Sequence, residues 1–249
     1  MTQVWNPETY DRFKTERQEP FRDLLAMVEP RRNMRIVDLG CGTGELTRVL
    51  HDQLQAEETL GIDNSETMLL KTKSFGGSLL RFERGDIEAF VTDRPYDLIF
   101  SNAALHWVAD HAHLLTRLVS FLKTNGQIAI QMPANDDHPS HQTAADVAQS
   151  YGITPRPDHL LTPDAYARLL YRLGFRRQNV RLQVYGHELD STRSVVEWVR
   201  GALLTDYEQR LGSRYPHFLA TYTDRLLEQL GDDQPYFYTY KRILMWATF

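Results

Sequence analysis

A single cysteine, Cys41, occurs in 249 residues. The chain cannot close a disulfide on itself and suits a reducing, cytoplasmic setting. No apolar run approaches the roughly 18 residues that a membrane span requires. The opening MTQVWNPETYDRF is polar and lacks the core of a signal peptide. Basic residues are in deficit. The 28 Lys and Arg stand against 33 Asp and Glu, a formal net charge of −5 with no dense basic block, which argues against a nucleic-acid partner. Repeats and low-complexity tracts are absent. The histidines of HAH (His111, His113) and HPSH (His138, His141) lack acid and cysteine ligands at useful spacing, so no metal is expected. There is no G-x-S-x-G turn for a serine nucleophile and no Gly-Lys-Ser/Thr for a phosphate loop. What remains is ordinary globular composition, 42% hydrophobic and 24% charged. The length suits one large domain, or one domain carrying an inserted subdomain.

The hydrophobic pattern alternates between two periods. Residues 8–28 read as a helix on the spacing of Tyr10, Phe13, Phe21, Leu24, Leu25 and Val28, with Pro20 a candidate break point and Pro30 a stop. Strands at 34–39, 58–63, 79–85, 96–101 and 127–132 alternate with helices at 44–54, 65–73 and 111–123. Asn64 or Ser65 is available as an N-cap, and Asn125-Gly126 is a turn signal. Five such strand units predict an α/β fold, a doubly wound parallel sheet with right-handed crossovers and both faces covered. Beyond the polar loop PANDDHPSHQ, residues 141–151 and 163–173 look helical, with Gly174 as a C-cap. A strand at 175–189, helices over 192–231 and a strand at 238–249 complete a mostly parallel seven-stranded sheet. They leave a helical insertion, about 188–236, before the last strand.

Chemistry concentrates at the strand ends. In VDLGCGTGELT the first strand runs into Gly40, Gly42 and Gly44. This is G-x-G-x-G, with Glu45 where a dinucleotide fingerprint has its third glycine, and a pyrophosphate is repelled by Asp38 and Glu45. An ammonium group is welcome beside Asp38. Asp63 lies 19 residues beyond Gly44, where a carboxylate accepts from both hydroxyls of a ribose. Asp86 and Ile87 offer an acceptor and an apolar wall for adenine. S-adenosylmethionine meets all of these demands without a phosphate. Cys41 reads as a small side chain beside the loop rather than a nucleophile.

In order and spacing, VDLGCGTGELT, GIDNSETML, FERGDIEAF and YDLIFSNAALHWV resemble the motifs of the class I S-adenosylmethionine-dependent methyltransferases over residues 34–132. WNPETYDRF, SNAALHWVADH, IQMPAN, HELDSTRSVVEWVRGALL and YFYTYKRILMWATF extend the likeness, over most of the chain, to the trans-aconitate 2-methyltransferases and their relatives. The resemblance implies a Rossmann-like methyltransferase core over 34–187 and 237–249, an N-terminal helical lid over 1–33 and a substrate cap over 188–236. It implies that Gly40, Cys41 and Gly42 lie along the methionine part of the cofactor, with Asp38 at its amino group. Asp63 takes the ribose, Asn64 sits beside the adenine, and Asp86 and Ile87 hold it. Asn102 and Ala103 end near the sulfonium. Trp5, Tyr10 and Phe13 resemble a lid. The implied activity is methyl ester formation on a carboxylate of a small polycarboxylic acid, trans-aconitate first.

A carboxylate is ionised at neutral pH, since its pKa is about 4, so no general base is required. Positioning and exclusion of water carry the rate. Trp107 and His106 are candidates to wall and hold the acid, with helix capping and core packing as the alternative for each. For a polyanion an arginine fork is expected. Arg200 on VVEWVRGALL leads, with Arg193 and Lys241 behind it and Tyr238 and Tyr240 sharing one side of the last strand. Two other readings stay open: a methyltransferase for an apolar (fatty or terpenoid) acid or another natural-product nucleophile, and a cofactor-binding protein without catalysis. The first reading expects an enclosed pocket between the carboxyl edge of the sheet and the insertion. The oligomeric state is not legible.

Overall fold

The computed structural model describes residues 14–155, 157–201 and 203–249. Seven strands form one sheet in the order β3-β2-β1-β4-β5-β7-β6. The strands are β1 (Arg35–Leu39), β2 (Glu58–Asp63), β3 (Leu80–Arg84), β4 (Tyr96–Asn102), β5 (Leu122–Pro133), β6 (Arg177–Leu189) and β7 (Tyr236–Thr248). β1 is central because Ile36, Val37 and Leu39 are apolar in near-continuous run and all are fully buried, as a strand covered on both faces demands. It pairs in parallel with β2, from Arg35↔Glu58 to Leu39↔Ile62, and with β4, from Ile36↔Leu98 to Asp38↔Phe100. β7 runs antiparallel to β5, through Gln127↔Thr248 to Pro133↔Arg242. That reversal makes the sheet mostly, not wholly, parallel. The switch from β1 to β2 on one side and β4 on the other puts the topological crevice at the carboxyl end of β1.

Helices α1 (Lys14–Met27), α2 (Glu45–Gln53), α3 (Glu66–Leu69), α4 (His111–Val119), α5 (Pro139–Ser150), α6 (Pro163–Arg172), α7 (Ser194–Arg200), α8 (Leu203–Leu211) and α9 (Tyr215–Leu230) complete the described elements. Pro20 lies inside α1 and does not break it. The helix turns Phe21, Leu24, Leu25 and Val28 inward, and Phe21 meets Phe100 edge-on at 5.5 Å. The 65–73 helix is two pieces, α3 and a 3₁₀ turn over Leu70–Ser74. Ser65 caps it, accepting from Met68 N at 3.3 Å. α4 stops at Val119, four residues before the expected end, because Leu122 already pairs with Tyr96 as part of β5. Asn125-Gly126 then forms a bulge inside that strand, where the register jumps between Tyr96↔Leu122 and Leu98↔Gln127.

Two compact units emerge. One holds residues 19–133, 159–183 and 242–249, and so contains most of the sheet. The other holds residues 134–158 and 184–241 with the start of α1. Its core is helical and aromatic: Ala144, Val147 and Ala148 of α5 pack with Val195, Val199, Phe218, Tyr222 and Tyr238. The sequence pattern counts 134–158 with the sheet domain and limits the insertion to 188–236. The small apolar face of α5 instead joins the helical core. The 192–231 stretch divides into α7, α8 and α9.

Candidate functional site

The crevice at the end of β1 is built by backbone geometry that only glycine supplies cheaply. Gly40, Gly42 and Gly44 have φ of 82°, 56° and 79°, in the left-handed region that costs a side chain strain. Gly40 N and Cys41 N both donate to Ile62 O, at 2.8 and 3.0 Å. Gly42 N donates to Asp63 Oδ2 at 2.8 Å, and Ser65 N donates to Asp63 Oδ1 at 2.8 Å. Asp63 thus clamps the loop with both oxygens, and each keeps a lone pair for a ligand. A methyl built on Gly40 falls 2.1 Å from Ala104 Cβ, whereas one on Gly42 meets nothing within 4 Å. The loop is sealed against β4 at Gly40 and open at Gly42.

This contrast predicts two phenotypes. Gly40→Ala combines a clash with a disfavoured φ, together about 3 kcal/mol, so thermal unfolding should start roughly 6–12 °C lower. Gly42→Ala should unfold within about 4 °C of wild type yet bind the nucleoside ligand at least about tenfold more weakly, because its methyl enters the open side. Equal melting temperatures for the two variants would refute the sealed-and-open description of the loop.

Asp38 is 4% exposed, and its Oδ2 accepts from Thr47 Oγ1 at 2.6 Å. Burial pushes its pKa from 3.8 up to about 7; the Thr47 hydroxyl opposes this and the nearby Asp63 charge reinforces it. A carboxyl held so close to neutrality is poised to ionise when a cation arrives. The role of Thr47, on the first turn of α2, as the partner of Asp38 is one that the sequence pattern hid, since it reads as one more buried helix position. Burial, with Asp38 and Asp63 beside it, pushes the Cys41 thiol well above its usual range. The thiol therefore stays protonated and is no nucleophile.

The other expected positions follow along the same edge. Asp86 is exposed and its Oδ1 accepts from Glu88 N at 2.7 Å. Ile87 approaches the loop: its Cδ1 lies 3.8 Å from a methyl built on Gly40. Asn64 is exposed at the end of β2. β4 is tied to β1 by Ser101 Oγ, which donates to Leu39 O at 2.7 Å. Asn102 follows, its Oδ1 buried without a hydrogen-bond partner among the described residues. Ala103 then takes a φ of 55°, a conformation that costs about 1 kcal/mol or more outside glycine. Its N–H donates to Gln131 O at 2.9 Å. His106 and Trp107 occupy the 3₁₀ turn Leu105–Trp107, their rings 4.9 Å apart, and Trp107 is 46% exposed. Asp110, not His106, caps α4, accepting from His113 N at 2.9 Å. Tyr10, Trp5 and Phe13 lie outside the described residues.

Arg200, Tyr238 and Lys241 belong to the helical unit. Lys241 is ion-paired with Asp137. Tyr238 is fully buried, takes a 3.5 Å hydrogen bond from Asn135 Nδ2 and stacks edge-on with His138. Arg200 lies beside Tyr215, whose hydroxyl is pushed up to about 12 by burial first and by Glu208. Tyr222 Oη, in the same core, is buried without a partner. His138 caps α5, its Nδ1 accepting from Ser140 N at 3.1 Å, and His111 Nδ1 meets the Tyr166 hydroxyl. At the opposite, amino end of the strands a cavity of about 430 Å³ is lined by Arg35, Arg81, Arg94 and Glu58. All three arginines pair with Glu58.

The residues present fit a nucleoside with a cationic tail: a buried carboxyl for the cation, a half-buried one with free lone pairs for vicinal hydroxyls, and, among the described residues of this edge, no basic group for a phosphate.

Comparison with known proteins gives the same direction. A family model described as a methyltransferase domain matches residues 30–173. The chain is 38% identical to a trans-aconitate 2-methyltransferase of Deinococcus radiodurans over 98% of each chain. It is 37% identical to one from Escherichia coli O1:K1 over 90% of this chain and 89% of that one. Its fold is similar to that of an S-adenosylmethionine-dependent methyltransferase from Mesorhizobium loti, with a TM-score of 0.52 and 23% identity, over 92% of this chain and 97% of that one.

Proposed function

We infer that this chain, which belongs to the S-adenosylmethionine-dependent methyltransferases and stands among their trans-aconitate 2-methyltransferases, methylates a carboxylate of trans-aconitate. The products are the methyl ester and S-adenosylhomocysteine. The observation that carries the substrate is the reach of the similarity. The methyltransferase-domain match ends at residue 173, but the Deinococcus relative aligns over 98% of both chains. The likeness therefore takes in the helical unit as well as the nucleoside crevice.

When bound, S-adenosylmethionine supplies an electrophilic methyl carbon on a sulfonium. In this reading Asp38 ionises and holds the amino group of the methionine end, along which Gly40, Cys41 and Gly42 lie. Asp63 accepts from the ribose hydroxyls with the lone pairs that the loop leaves open. Asp86 and Ile87 hold the adenine, with Asn64 beside it. Asn102 and Ala103 border the sulfonium. The acceptor carboxylate arrives ionised, its pKa being about 4, so no side chain has to remove a proton. The chain's own work is to orient one carboxylate oxygen in line with the methyl carbon and to strip it of water. His106 and Trp107 contribute a wall and donors on the β4 side. Arg200, beside Tyr215, is the carboxylate donor proposed within the helical unit, with Tyr238 and Lys241 as weaker contributors. The lone cysteine suits a cytoplasmic setting.

The test is turnover with labelled cofactor across tricarboxylic, dicarboxylic and apolar acids. Trans-aconitate should exceed succinate-like dicarboxylates and fatty acids in kcat/KM by at least about 100-fold, the discrimination that one lost charged contact of roughly 3 kcal/mol produces. An apolar acid as the best substrate, or binding of cofactor without turnover of any acid, would overturn the reading.

A further inference from the structure

Two buried glutamines on β5 share one face of the sheet and are treated in opposite ways. Gln127 is engaged at both amide atoms: its Oε1 accepts from Glu29 N at 2.9 Å and from Trp246 Nε1 at 2.7 Å, and its Nε2 donates to Glu29 O at 2.8 Å. Gln131, four residues on, is 0% exposed, and neither its Nε2 nor its Oε1 has a partner among the described residues. Buried side-chain amides are nearly always paired, and the fold pairs Gln127 without difficulty. A bare amide four residues further on is therefore left open, by the described residues, to a ligand.

Its neighbours say what. Gln131 is the register partner of Asn102 across the β4–β5 pair, so the two side chains stand on one face, on strands about 4.8 Å apart. Asn102 Oδ1 is also buried and unpartnered. The backbone between them is already used, since Gln131 O accepts from Ala103 N at 2.9 Å. That face is the one that carries Phe100 and, through the pairing Asp38↔Phe100, Asp38. Arg242, 8% exposed, stands opposite Pro133 on the same face, two residues beyond Gln131. Along the carboxyl edge, Asp63, Asp38, Asn102 and Gln131 succeed one another on β2, β1, β4 and β5. The first two serve the ribose and the methionine amino group in the reading above. Gln131 is one strand beyond Asn102, on the side away from the nucleoside.

We propose that Gln131 positions the acceptor, its amide hydrogens donating to the carboxylate that receives the methyl group, with Asn102 between it and the cofactor. This rests on the reading of the protein as a carboxyl methyltransferase. Gln131 is a positioning residue: a neutral donor pair orients an ionised oxygen without lowering its nucleophilicity as far as a direct ion pair would.

Gln131→Met and Gln131→Glu, of similar shape, test this beside the full-length wild type. The Met variant loses an unsatisfied amide, so its melting temperature without ligands should rise by about 2–6 °C. Its affinity for S-adenosylhomocysteine should stay within about threefold of wild type, while its KM for trans-aconitate rises at least about tenfold. The Glu variant repels the acid, and its KM should rise about 100-fold or more. With S-adenosylhomocysteine present, trans-aconitate should raise the melting temperature of the wild type and leave that of both variants unmoved. A Met variant that fails to fold, melts lower than wild type, or keeps its KM and its ligand-induced shift overturns the assignment. So does an equal loss of S-adenosylhomocysteine affinity, which would move Gln131 to the cofactor. A wild type that neither binds nor methylates any acid overturns the functional reading itself, and the assignment falls with it; turnover by the wild type with an unaltered variant defeats the assignment alone.

Discussion

Asp38→Asn should make the unliganded protein more stable above pH 7 and at the same time a poorer binder of cofactor. Asp38 is buried, and burial, partly offset by Thr47, brings its pKa to about 7 from 3.8. A carboxyl raised in this way favours its neutral form in the native state. Between about pH 4 and pH 7 the folded chain holds a proton that the unfolded chain has released, so stability from this group is full below pH 4 and falls as pH rises to 7. The whole difference between 3.8 and about 7 is worth on the order of 4 kcal/mol. Asparagine is never charged and keeps a carbonyl to accept from Thr47. The difference in melting temperature between variant and wild type should therefore grow with pH, from near zero at pH 4 to as much as about 10 °C at pH 8. Cofactor binding moves the other way. Its ammonium group loses a charge-assisted bond of about 2–3 kcal/mol, roughly 30- to 150-fold in affinity. In the wild type that affinity should itself weaken below pH 7, with a proton released on binding that calorimetry in two buffers would count. Parallel melting curves for the two proteins across this pH range would refute the account of Asp38.

Asp63→Ala carries the larger loss of binding. The carboxylate accepts from Gly42 N and Ser65 N, both at 2.8 Å, and in the proposed function it also offers its remaining lone pairs to the ribose. Removing it abandons two charge-assisted bonds to ligand, about 3–6 kcal/mol or on the order of 1,000-fold or more in S-adenosylhomocysteine affinity. It also frees the glycine loop at a cost of about 1–3 kcal/mol in stability. Asp63→Asn keeps one acceptor oxygen and turns an NH₂ toward a backbone N–H, so a loss of about 30-fold lies between. Titration of S-adenosylhomocysteine, with melting temperature as the companion readout, orders the three proteins. An alanine variant with wild-type affinity would separate Asp63 from the cofactor altogether.

Why these acids are legible in the sequence as candidates, and Gln131 is not, is a matter of local signal. Asp38 and Asp63 each follow a strand of apolar residues and precede a turn, so they announce themselves as strand-end acids. The β2 boundaries agree with the expected 58–63 for the same reason. Gln131 sits inside the strand in QIAIQM, where a glutamine reads the same as Gln127. Only the partners of each amide distinguish the structural one from the open one. The end of α4 was hidden by Leu118, Phe121 and Leu122, an apolar series that suits a helix face as well as a strand. Strand pairing with Tyr96 decided it. The grouping of 134–158 with the later helices was hidden too, because the small residues of α5 suit either core and tertiary packing made the choice.

By itself the sequence determined the alternation of strands and helices, the glycine-rich turn after the first strand, and the strand-end acids that stand as candidates for a nucleoside with a cationic tail. These are local properties: each depends on backbone preference or on what directly follows a strand. The tertiary structure alone decided which polar groups are spent and which are open. It turned Lys241 to Asp137, Gln127 to Glu29 and Trp246, and left Asn102 Oδ1 and the Gln131 amide without partners among the described residues. The physical reason is that a hydrogen bond between residues a hundred positions apart exists only after the strands have paired, and a buried group without one is visible only against the groups around it.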